Sequence, residues 1–277
     1  MKISVIVSTY NRPEALAKVL EGLYRQTRLP DEIIVADDGS SDETRQCVEE
    51  LKRNYNVPTK HVWQPDEGFR LAKIRNEAIR VCTGDYVVFL DGDCIPDLHF
   101  TADHERLAGQ GLFVQGKRIL VDQVWSDRFS YQTISSQRFR FLFSRHLGNR
   151  HHLIRWGWFP PIINRRLSGT RFCNVAIFRK DLYAVNGFNE AFEGWGREDS
   201  EMVVRLYKYG LRRKGHPFAA ICFHLWHPEN DRAHVAVNDQ LLDQAKAAGT
   251  FVCVRGLRHI APQSPDPSMD HHTRFHE

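Results

Sequence analysis

Short apolar runs alternate with amphipathic stretches in the first 115 residues of the chain. Runs rich in β-branched and aromatic residues predict buried strands, and apolar residues that recur at helical spacing predict helices. Strands are predicted at residues 2–9, 32–36, 59–63 and 86–90, and helices from residue 13, at 43–54 and at 70–82. This alternation predicts an α/β fold with a mostly parallel sheet and helices on both faces.

The pattern is sparser in the second half of the chain. Strands are predicted at residues 170–178 and 218–223, and helices at 200–209 and 238–248. Because the composition changes near residue 115, we take residues 1–115 and 116–260 as two halves of one compact unit. Residues 261–277 contain three prolines followed by HHTRFHE, and this composition predicts a disordered tail.

The segment GDYVVFLDGDCIP (Gly84–Pro96) ends a predicted buried strand with two carboxylates. In open α/β sheets, ligands bind beyond the carboxyl ends of the strands. Asp91 and Asp93 flank Gly92 at that position, and paired carboxylates favour a divalent cation such as Mg²⁺ or Mn²⁺ between them. Gly92 would leave room there for a bulky, charged ligand. The alternative is an ordinary turn after a strand.

Polar side chains also accompany other predicted elements of the first half. Asp37 and Asp38 end the second strand, where a carboxylate can accept hydrogen bonds from a base or a ribose. The alternative for this pair is turn and capping chemistry. Arg75 on the third helix could reach a phosphate, or it could lie on a solvated helix face.

Two features of the second half could complete such a site. Glu198 and Asp199 come just before a predicted helix, although acids there are commonly only a match to the helix dipole. His224 follows the strand predicted at 218–223. A lone histidine after a strand is usually structural, but one that reaches a carboxylate-bound metal is a suitable additional ligand.

Several classes of protein are excluded by missing patterns. No G-x-G-x-x-G follows the first strand and no G-x-x-x-x-G-K-[ST] occurs, which excludes a Rossmann dinucleotide site and a P-loop. The six cysteines lack CxxC and zinc-finger spacings, so we expect reduced thiols. The N-terminal apolar run is too short for a signal peptide, and no run approaches the about 20 residues of a spanning helix. We therefore expect a cytoplasmic protein whose membrane contact, if any, is peripheral.

The charge of the chain is distributed unevenly. The 277 residues carry a net charge of +4, with the 42% hydrophobic and 26% charged content of a soluble globular protein. Residues 128–180 contain eleven Arg or Lys, ten aromatic residues and no Asp or Glu. Such a segment suits an anionic membrane surface, a phosphate-bearing acceptor or a nucleic acid. The alternative is a solvated basic face whose aromatic side chains lie in the core.

Five segments in order, VIVSTYNRPEAL, IIVADDGSSDET, DEGFRLAKIRNEAI, GDYVVFLDGDCIP and GWGREDSEM, resemble an inverting glycosyltransferase of family 2 with the GT-A fold. They lie within residues 3–96 and 170–227. The pair GWGRED and FHLWH is similar to the galactosyltransferase-type C-terminal module of bacterial chondroitin polymerases and animal β-1,4-galactosyltransferases. Residues 116–168 match no pattern of the family, so the part that faces the acceptor is unmatched.

The resemblance implies a role for each matching residue. The residues implied in donor binding are Thr9, Tyr10, Arg12, Asp37, Asp38, Arg75, Asp91 and Asp93. Asp93 and His224 would bind Mn²⁺ or Mg²⁺, with His227 as the alternative histidine. Asp199 takes the position of the general base, with Glu198 beside it on the acceptor side.

The acceptor would contact Trp195, Gly196 and Arg197. Arg197 departs from the family pattern, which has a glycine at this position. An arginine beside the two acids would lower their pKa or bind an anionic acceptor.

The implied activity is the inverting transfer of a hexose from a UDP- or dTDP-sugar to a hydroxyl of a glycan or glycolipid. A bacterial surface glycan is the expected acceptor, for example lipopolysaccharide core, a capsule or an exopolysaccharide. One alternative is a rhamnosyltransferase that uses a dTDP-sugar. Another is a nucleotidyltransferase, but residues 8–13 lack its glycine-rich basic loop. The third alternative is a nucleic-acid-binding protein. Binding of a nucleic acid would not require the paired acids, so we expect no nucleic acid as a partner.

Overall fold

The computed structural model describes residues 1–156, 158–228 and 231–259. The first half of the chain alternates strands and helices: β1 (Ile3–Thr9), α1 (Pro13–Tyr24), β2 (Glu32–Asp37), α2 (Asp42–Arg53), β3 (Thr59–Trp63), α3 (Leu71–Val81), β4 (Tyr86–Asp91), β5 (Cys94–Pro96), α4 (Phe100–Leu107) and β6 (Leu112–Gln115). This part of the prediction is confirmed. The tail predicted to be disordered lies outside the described residues.

The second half has shorter elements: β7 (Lys117–Val121), α5 (Gln123–Ser126), α6 (Tyr131–Phe141), β8 (Leu147–Gly148), a 3₁₀ helix (Arg150–Leu153), β9 (Ile162–Asn164), β10 (Asn174–Phe178), α7 (Arg179–Ala184), α8 (Glu198–Tyr209), β11 (Arg212–Gly215), β12 (Ile221–His224) and α9 (Val235–Ala247). Within the described ranges, no helix is both long and apolar enough to cross a membrane.

A sheet of eight strands in the order β3-β2-β1-β4-β10-β6-β11-β9 forms the centre of the molecule. The first four strands are parallel, while β10 runs antiparallel to both of its neighbours. Register places Thr9 beside Asp37, and Ser8 beside Asp91. The carboxyl ends of β1, β2 and β4 therefore bring their polar residues to one edge, as parallel strands require.

Helices cover both faces of this sheet, as predicted. The pleat of β1 sends Ile3, Val5 and Val7 into one apolar cluster, where α1 packs, and Ile6 into the other, where α3 and α8 pack. Because the large sheet takes strands from both sides of residue 115, the two halves share one framework. Their division into a donor half and an acceptor half stays a prediction.

A smaller sheet in the order β5-β12-β7-β8 lies next to the end of β4. Strand β12 is antiparallel to β5, with His224 opposite Cys94, and the amide of Leu225 donates to the carbonyl of Asp93 at 2.9 Å. This sheet therefore carries the chain after β12 back to the loop that follows β4. The sequence pattern did not predict β5, because three residues are too few to show a period.

Strand β10 begins at Asn174, later than the predicted strand at 170–178. The amide of Arg171 donates to Gln115 Oε1 at 3.2 Å, and that of Phe172 donates to Asp199 Oδ2 at 2.8 Å. These amides are used by side chains, so they are not available to a neighbouring strand.

Strand β12 begins at Ile221 rather than at residue 218. Ala220 has a φ of +53°, which interrupts an extended strand, and its amide donates to Asp103 Oδ2 at 3.0 Å. The alternating sequence pattern gives no sign of this bend, because the bend depends on a carboxylate from α4.

The basic segment at 128–180 divides its side chains between the core and the surface. Phe129, Phe141 and Phe172 are buried, whereas Phe139 and Trp158 are exposed. The alternative of a basic face with its aromatics in the core is therefore correct for only part of the segment.

Two arginines of this segment form ion pairs with carboxylates of the core. Arg138 and Arg155 both bind Asp97, which is fully buried, and Arg155 also pairs with Asp103 at 2.9 Å. Arg138 donates in addition to the carbonyl of Leu153 at 3.0 Å. These two guanidinium groups are structural and are not free for a ligand.

Replacement of Asp97 by alanine is expected to lower the free energy of unfolding by roughly 2–4 kcal/mol, because it leaves two arginines without their shared buried partner. Chemical denaturation measures the change. The matched control is Asp243→Ala, which removes only the exposed partner of Lys246 and should cost less than about 1 kcal/mol. Equal losses in the two variants would show that the Asp97 pairs contribute no special stability.

Candidate active site

Asp93, His224 and His227 form a cluster at the junction of the two sheets. Asp93 lies in the loop after β4, and the two histidines lie at and just beyond the end of β12. His224 Nε2 is 3.8 Å from Asp93 Oδ1, and His227 Nε2 is 3.4 Å from Asp93 Oδ2. The structure thus brings both candidate histidines to the carboxylate, where the sequence left the choice between them open.

The composition of this cluster fits a divalent transition ion. One ligand atom from each of the three residues lies within 4.8 Å of the other two. Burial lowers the pKa of His224, which favours the neutral imidazole that a metal requires. Two imidazoles and one carboxylate suit Mn²⁺ better than Mg²⁺, because Mg²⁺ prefers oxygen ligands.

Arg12 adds a positive charge to the same place. Its Nη1 donates to Asp93 Oδ2 at 2.8 Å, and its side chain is 37% exposed. The arginine stands at the start of α1, directly after the turn that follows β1. A guanidinium that is both anchored and open to solvent can also contact an anionic ligand.

Arg75 connects this edge of the sheet to helix α8. Its Nη2 donates to Asp91 Oδ1 at 3.1 Å, its Nη1 to Asp199 Oδ1 at 3.0 Å and its Nε to Ser8 Oγ at 3.3 Å. The side chain is 2% exposed. The alternative of a solvated helix face for Arg75 is therefore wrong.

The surroundings of Arg75 hold the guanidinium in a fixed position. The rings of Phe172 and Phe188 lie 6.0 and 5.2 Å from it. Neither Ser8 nor Phe172 was predicted as a site residue. A hydroxyl inside a buried strand and an aromatic before a strand carry no sequence signal that separates them from core positions.

Asp91 lies among three charged groups. Burial raises the pKa of Asp91 to about 6, Arg75 opposes this shift, and the carboxylates of Asp93 and Asp199 add to it. The contacts of Arg75 with both Asp91 and Asp199 show that these two carboxylates lie close together. Asp93 is two positions from Asp91 along the chain, so the three carboxylates lie in one neighbourhood.

Asp199 is held at both oxygens in the first turn of α8. Oδ1 accepts from Arg75, and Oδ2 accepts from the Phe172 amide at 2.8 Å. Each carboxylate oxygen has a second lone pair, so the group can still accept a proton. The prediction that Glu198 and Asp199 lie at a helix N-terminus is confirmed, because α8 begins at Glu198.

Glu198 is in a different state from Asp199. Its Oε2 is buried and has no hydrogen-bond partner among the described residues. Burial, followed by the Asp199 carboxylate, raises the pKa of Glu198 to about 8, although Arg75 opposes the shift. At neutral pH this side chain is largely a neutral acid and can donate a hydrogen bond.

The expectation that Arg197 lowers the pKa of the two acids is wrong for Glu198. Arg197 has a φ of +75° and directs its Nε to Asp239 on α9, away from the start of α8. Burial therefore outweighs any effect of this arginine. Its other predicted role, binding of an anionic acceptor, stays a prediction.

The remaining residues predicted for the acceptor lie in the loop before α8. Gly196 has a φ of +110°, a conformation that favours glycine. Trp195 is 39% exposed, and the guanidinium of Arg232 lies 5.7 Å from its ring. An exposed indole beside the helix start can stack against a sugar ring.

On the donor side, Asp37 and Asp38 are buried and already hydrogen-bonded. Asp37 Oδ1 accepts from the Ser40 amide at 2.8 Å and Oδ2 is 2.8 Å from His61 Nε2. Asp38 Oδ2 accepts from the Arg70 amide at 2.8 Å, and burial raises its pKa to about 6. Turn chemistry is thus present at Asp37, and nucleotide contact by either acid stays a prediction.

Three further features surround the turn after β1. Tyr10 is exposed and donates from its hydroxyl to Asp66 at 2.9 Å, and Thr9 Oγ1 is buried without a partner among the described residues. Gly92 has a structural purpose that the sequence did not predict. A Cβ at Gly92 would lie 2.8 Å from the Ser8 carbonyl, so the adjacent strand requires glycine here, and the predicted room for a bulky ligand stays a prediction.

Replacement of Glu198 by glutamine is expected to change how stability depends on pH. The wild-type pKa is raised on folding, so the native state holds a proton that the unfolded state releases, and stability falls as pH rises from about 4.5 to about 8. Denaturation at pH 5 and pH 8 should show a fall that is smaller in the variant by roughly 1–3 kcal/mol. Equal falls in both proteins would contradict the neutral state of Glu198.

Two family models match the chain. One described as "Glycosyl transferase family 2" matches residues 4–172, and one described as "N-terminal domain of galactosyltransferase" matches residues 161–228. The first model therefore also covers residues 116–168, for which the expectation that the family leaves them unmatched is wrong. The chain is similar to chondroitin synthase of Escherichia coli, with 30% identity over 75% of this chain and 32% of the relative. It is also similar to validoxylamine A glucosyltransferase of Streptomyces hygroscopicus subsp. limoneus, with 27% identity over 76% of this chain and 48% of the relative. The chain spans less than half the length of each.

Two solved structures share the fold. The structure of Staphylococcus aureus TarS 1–349 matches with a TM-score of 0.61 at 20% identity. The match covers 88% of this chain and 65% of the TarS chain. The mannosyltransferase PcManGT of Pyrobaculum calidifontis, in complex with GDP-Man and Mn²⁺, matches with a TM-score of 0.58 at 20% identity. This match covers 85% of this chain and 59% of the PcManGT chain. The predicted GT-A fold is confirmed by this likeness.

Proposed function

Since the chain belongs to glycosyl transferase family 2 and is a glycosyltransferase, we propose that it transfers a hexose from a nucleotide sugar to a hydroxyl of a bacterial surface glycan, with inversion. The observation that best supports this mechanism is the buried Arg75, which donates to both Asp199 and Asp91. Asp91 precedes Asp93 of the metal cluster by two residues. One edge of the sheet then contains both a cation site and a base. The names of the relatives, a chondroitin synthase and a glucosyltransferase, support glycan synthesis.

Asp93, His224 and His227 would hold the divalent cation. Bound there, Mn²⁺ would neutralise charge on the leaving diphosphate. The complex of PcManGT with GDP-Man and Mn²⁺ supports this choice of ion over Mg²⁺. Arg12, anchored on Asp93 and partly exposed, would supply a second positive charge to the same phosphates.

Asp199 would act as the general base. The acceptor oxygen bonds to the anomeric carbon, the bond from that carbon to the diphosphate oxygen breaks, and the hydroxyl proton passes to Asp199. Arg75 and the Phe172 amide fix the carboxylate so that it needs no reorientation during the reaction. Glu198, kept neutral by burial, would donate a hydrogen bond to an acceptor oxygen, beside Trp195 and Arg197.

The two halves would divide the work. Residues 1–115 would bind the donor through Thr9, Tyr10, Asp37 and Asp38. In residues 116–260, Trp195, Gly196 and Arg197 would bind the acceptor. We place the protein on the cytoplasmic side, with peripheral contact to an anionic membrane face. The uneven charge of residues 128–180 supports this location.

A donor screen tests the proposal. Calorimetry with UDP-, GDP- and dTDP-hexoses, each with and without Mn²⁺, should give binding for one nucleotide class only when Mn²⁺ is present. Exclusive binding of a dTDP-deoxysugar would favour a rhamnosyltransferase, and absence of binding by every nucleotide sugar would contradict the proposal. The matched control is magnesium at the same concentration, which we expect to support weaker binding.

A further inference from the structure

The C-terminal end of α6 and the turn that follows it present two large apolar rings to solvent. Phe139 and Phe143 are 75% and 73% exposed, and their ring centroids lie 5.7 Å apart. Phe139 lies in the last turn of α6, and Phe143 lies in the turn after the helix, where its amide donates to the carbonyl of Arg140 at 3.2 Å. The helix itself is anchored, since Ile134 and Phe141 are buried in the core. The exposed pair is thus attached to a helix end that packs against the core.

Two arginines stand beside these rings. Arg140 and Arg145 are exposed, and their side chains make no hydrogen bond or ion pair in the part of the chain that the structure describes. The neighbouring Arg138 differs, because Asp97 holds it. Since residues 128–180 contain no acid, the charge beside the rings is not offset within the segment.

We propose that Phe139, Arg140, Phe143 and Arg145, here called the α6 patch, bind the surface of an anionic lipid bilayer. The rings enter the boundary between headgroups and acyl chains, and the guanidinium groups contact the headgroup phosphates. Unpaired positive charge beside exposed aromatic rings is complementary to such a surface. A single shallow contact of this size gives reversible binding.

The α6 patch contains none of the residues assigned to donor binding, the cation or the base. This proposal therefore deepens the peripheral location and is independent of the chemistry of the candidate active site. The proposed membrane contact is thus limited to part of the basic segment at 128–180, because Arg138 and Arg155 bind buried carboxylates and are not free to contact lipid. A test that changed Arg138 would confuse unfolding with loss of binding.

Vesicle sedimentation of the full chain tests the α6 patch. Wild type should sediment with vesicles of phosphatidylcholine and phosphatidylglycerol, but not with phosphatidylcholine alone, and less at high salt. Arg140→Gln with Arg145→Gln should weaken binding roughly 30-fold, and Phe139→Ser with Phe143→Ser at least about tenfold. Thermal unfolding confirms that each variant is folded.

The matched control is Arg53→Gln with Arg212→Gln, which removes two exposed arginines outside the segment and should leave vesicle binding nearly unchanged. Equal sedimentation with both vesicle types, or equal losses in the control and the α6 variants, would overturn the proposal. The proposal would also be overturned if the α6 variants lost binding to a soluble acidic polysaccharide but kept binding to vesicles. Transfer to a water-soluble acceptor should be unaffected in all these variants, so a failure here is separate from a failure of the proposed chemistry.

Discussion

Replacement of Asp199 by asparagine is expected to lower the turnover number by about 10²–10⁴. The amide has nearly the shape of the carboxylate, so the chain should still fold, but it cannot accept the proton of the acceptor hydroxyl. Binding of the donor with Mn²⁺ should be retained, because Asp199 is not among the cation candidates. Steady-state kinetics and donor calorimetry on the same preparation measure the two quantities.

The control for this experiment is Glu198→Gln, at the neighbouring position. Because Glu198 is largely neutral near pH 7, the amide should preserve most of the rate and alter mainly the KM for the acceptor. If Glu198→Gln reduced the turnover number as strongly as Asp199→Asn, the assignment of the base to Asp199 would be incorrect. A reduced affinity for the donor in Asp199→Asn would also speak against it.

Changes at Arg75 should have the second large effect. Arg75→Met removes a buried cation that both Asp91 and Asp199 contact, and we expect a loss of roughly 3–5 kcal/mol in stability together with loss of transfer. Arg75→Lys keeps the charge, but one ammonium group cannot reproduce the planar fork that reaches both carboxylates. We expect this variant to fold and to lose about 10²-fold in turnover number with a smaller change in donor KM.

Arg45→Lys on α2 is the control, since Arg45 pairs with Asp42 at the surface. It should change the turnover number and the melting temperature little. The informative result is the separation of rate from binding in Arg75→Lys. If donor affinity fell while the turnover number of the bound complex stayed normal, Arg75 would be a donor ligand, as the sequence first suggested, rather than a residue that positions Asp199.

The sequence predicted the fold well where its signals are local. Buried strands such as β1 and β4 show continuous apolar runs, and α1 and α3 show helical spacing, so the alternation to residue 115 could be predicted directly. The same approach placed Asp93 at a strand end and Asp199 at a helix start. These are positions along the chain, and a single sequence contains them.

The sequence could not predict contacts that depend on tertiary structure. The burial of Arg75 results from packing between β1, α3 and α8, and nothing in its neighbours Lys73 and Asn76 indicates it. The late start of the strand predicted at 170–178 depends on a carboxylate from α8, and the position of His227 depends on the register of β12 with β5. Likewise, Arg138 and Arg140 look equivalent in sequence, yet only Arg138 has a buried partner.

In the proposed mechanism, Asp93, His224 and His227 hold a divalent ion that binds the donor diphosphate beside Asp199. The most direct measurement is Mn²⁺ binding, by electron paramagnetic resonance, in the presence of the nucleoside diphosphate of the donor. We compare wild type, Asp199→Asn and the double variant His224→Ala/His227→Ala. We expect wild type and Asp199→Asn to bind Mn²⁺ tightly, and the double histidine variant to bind it at least about tenfold more weakly. Unchanged Mn²⁺ binding in the double histidine variant would contradict the proposed mechanism.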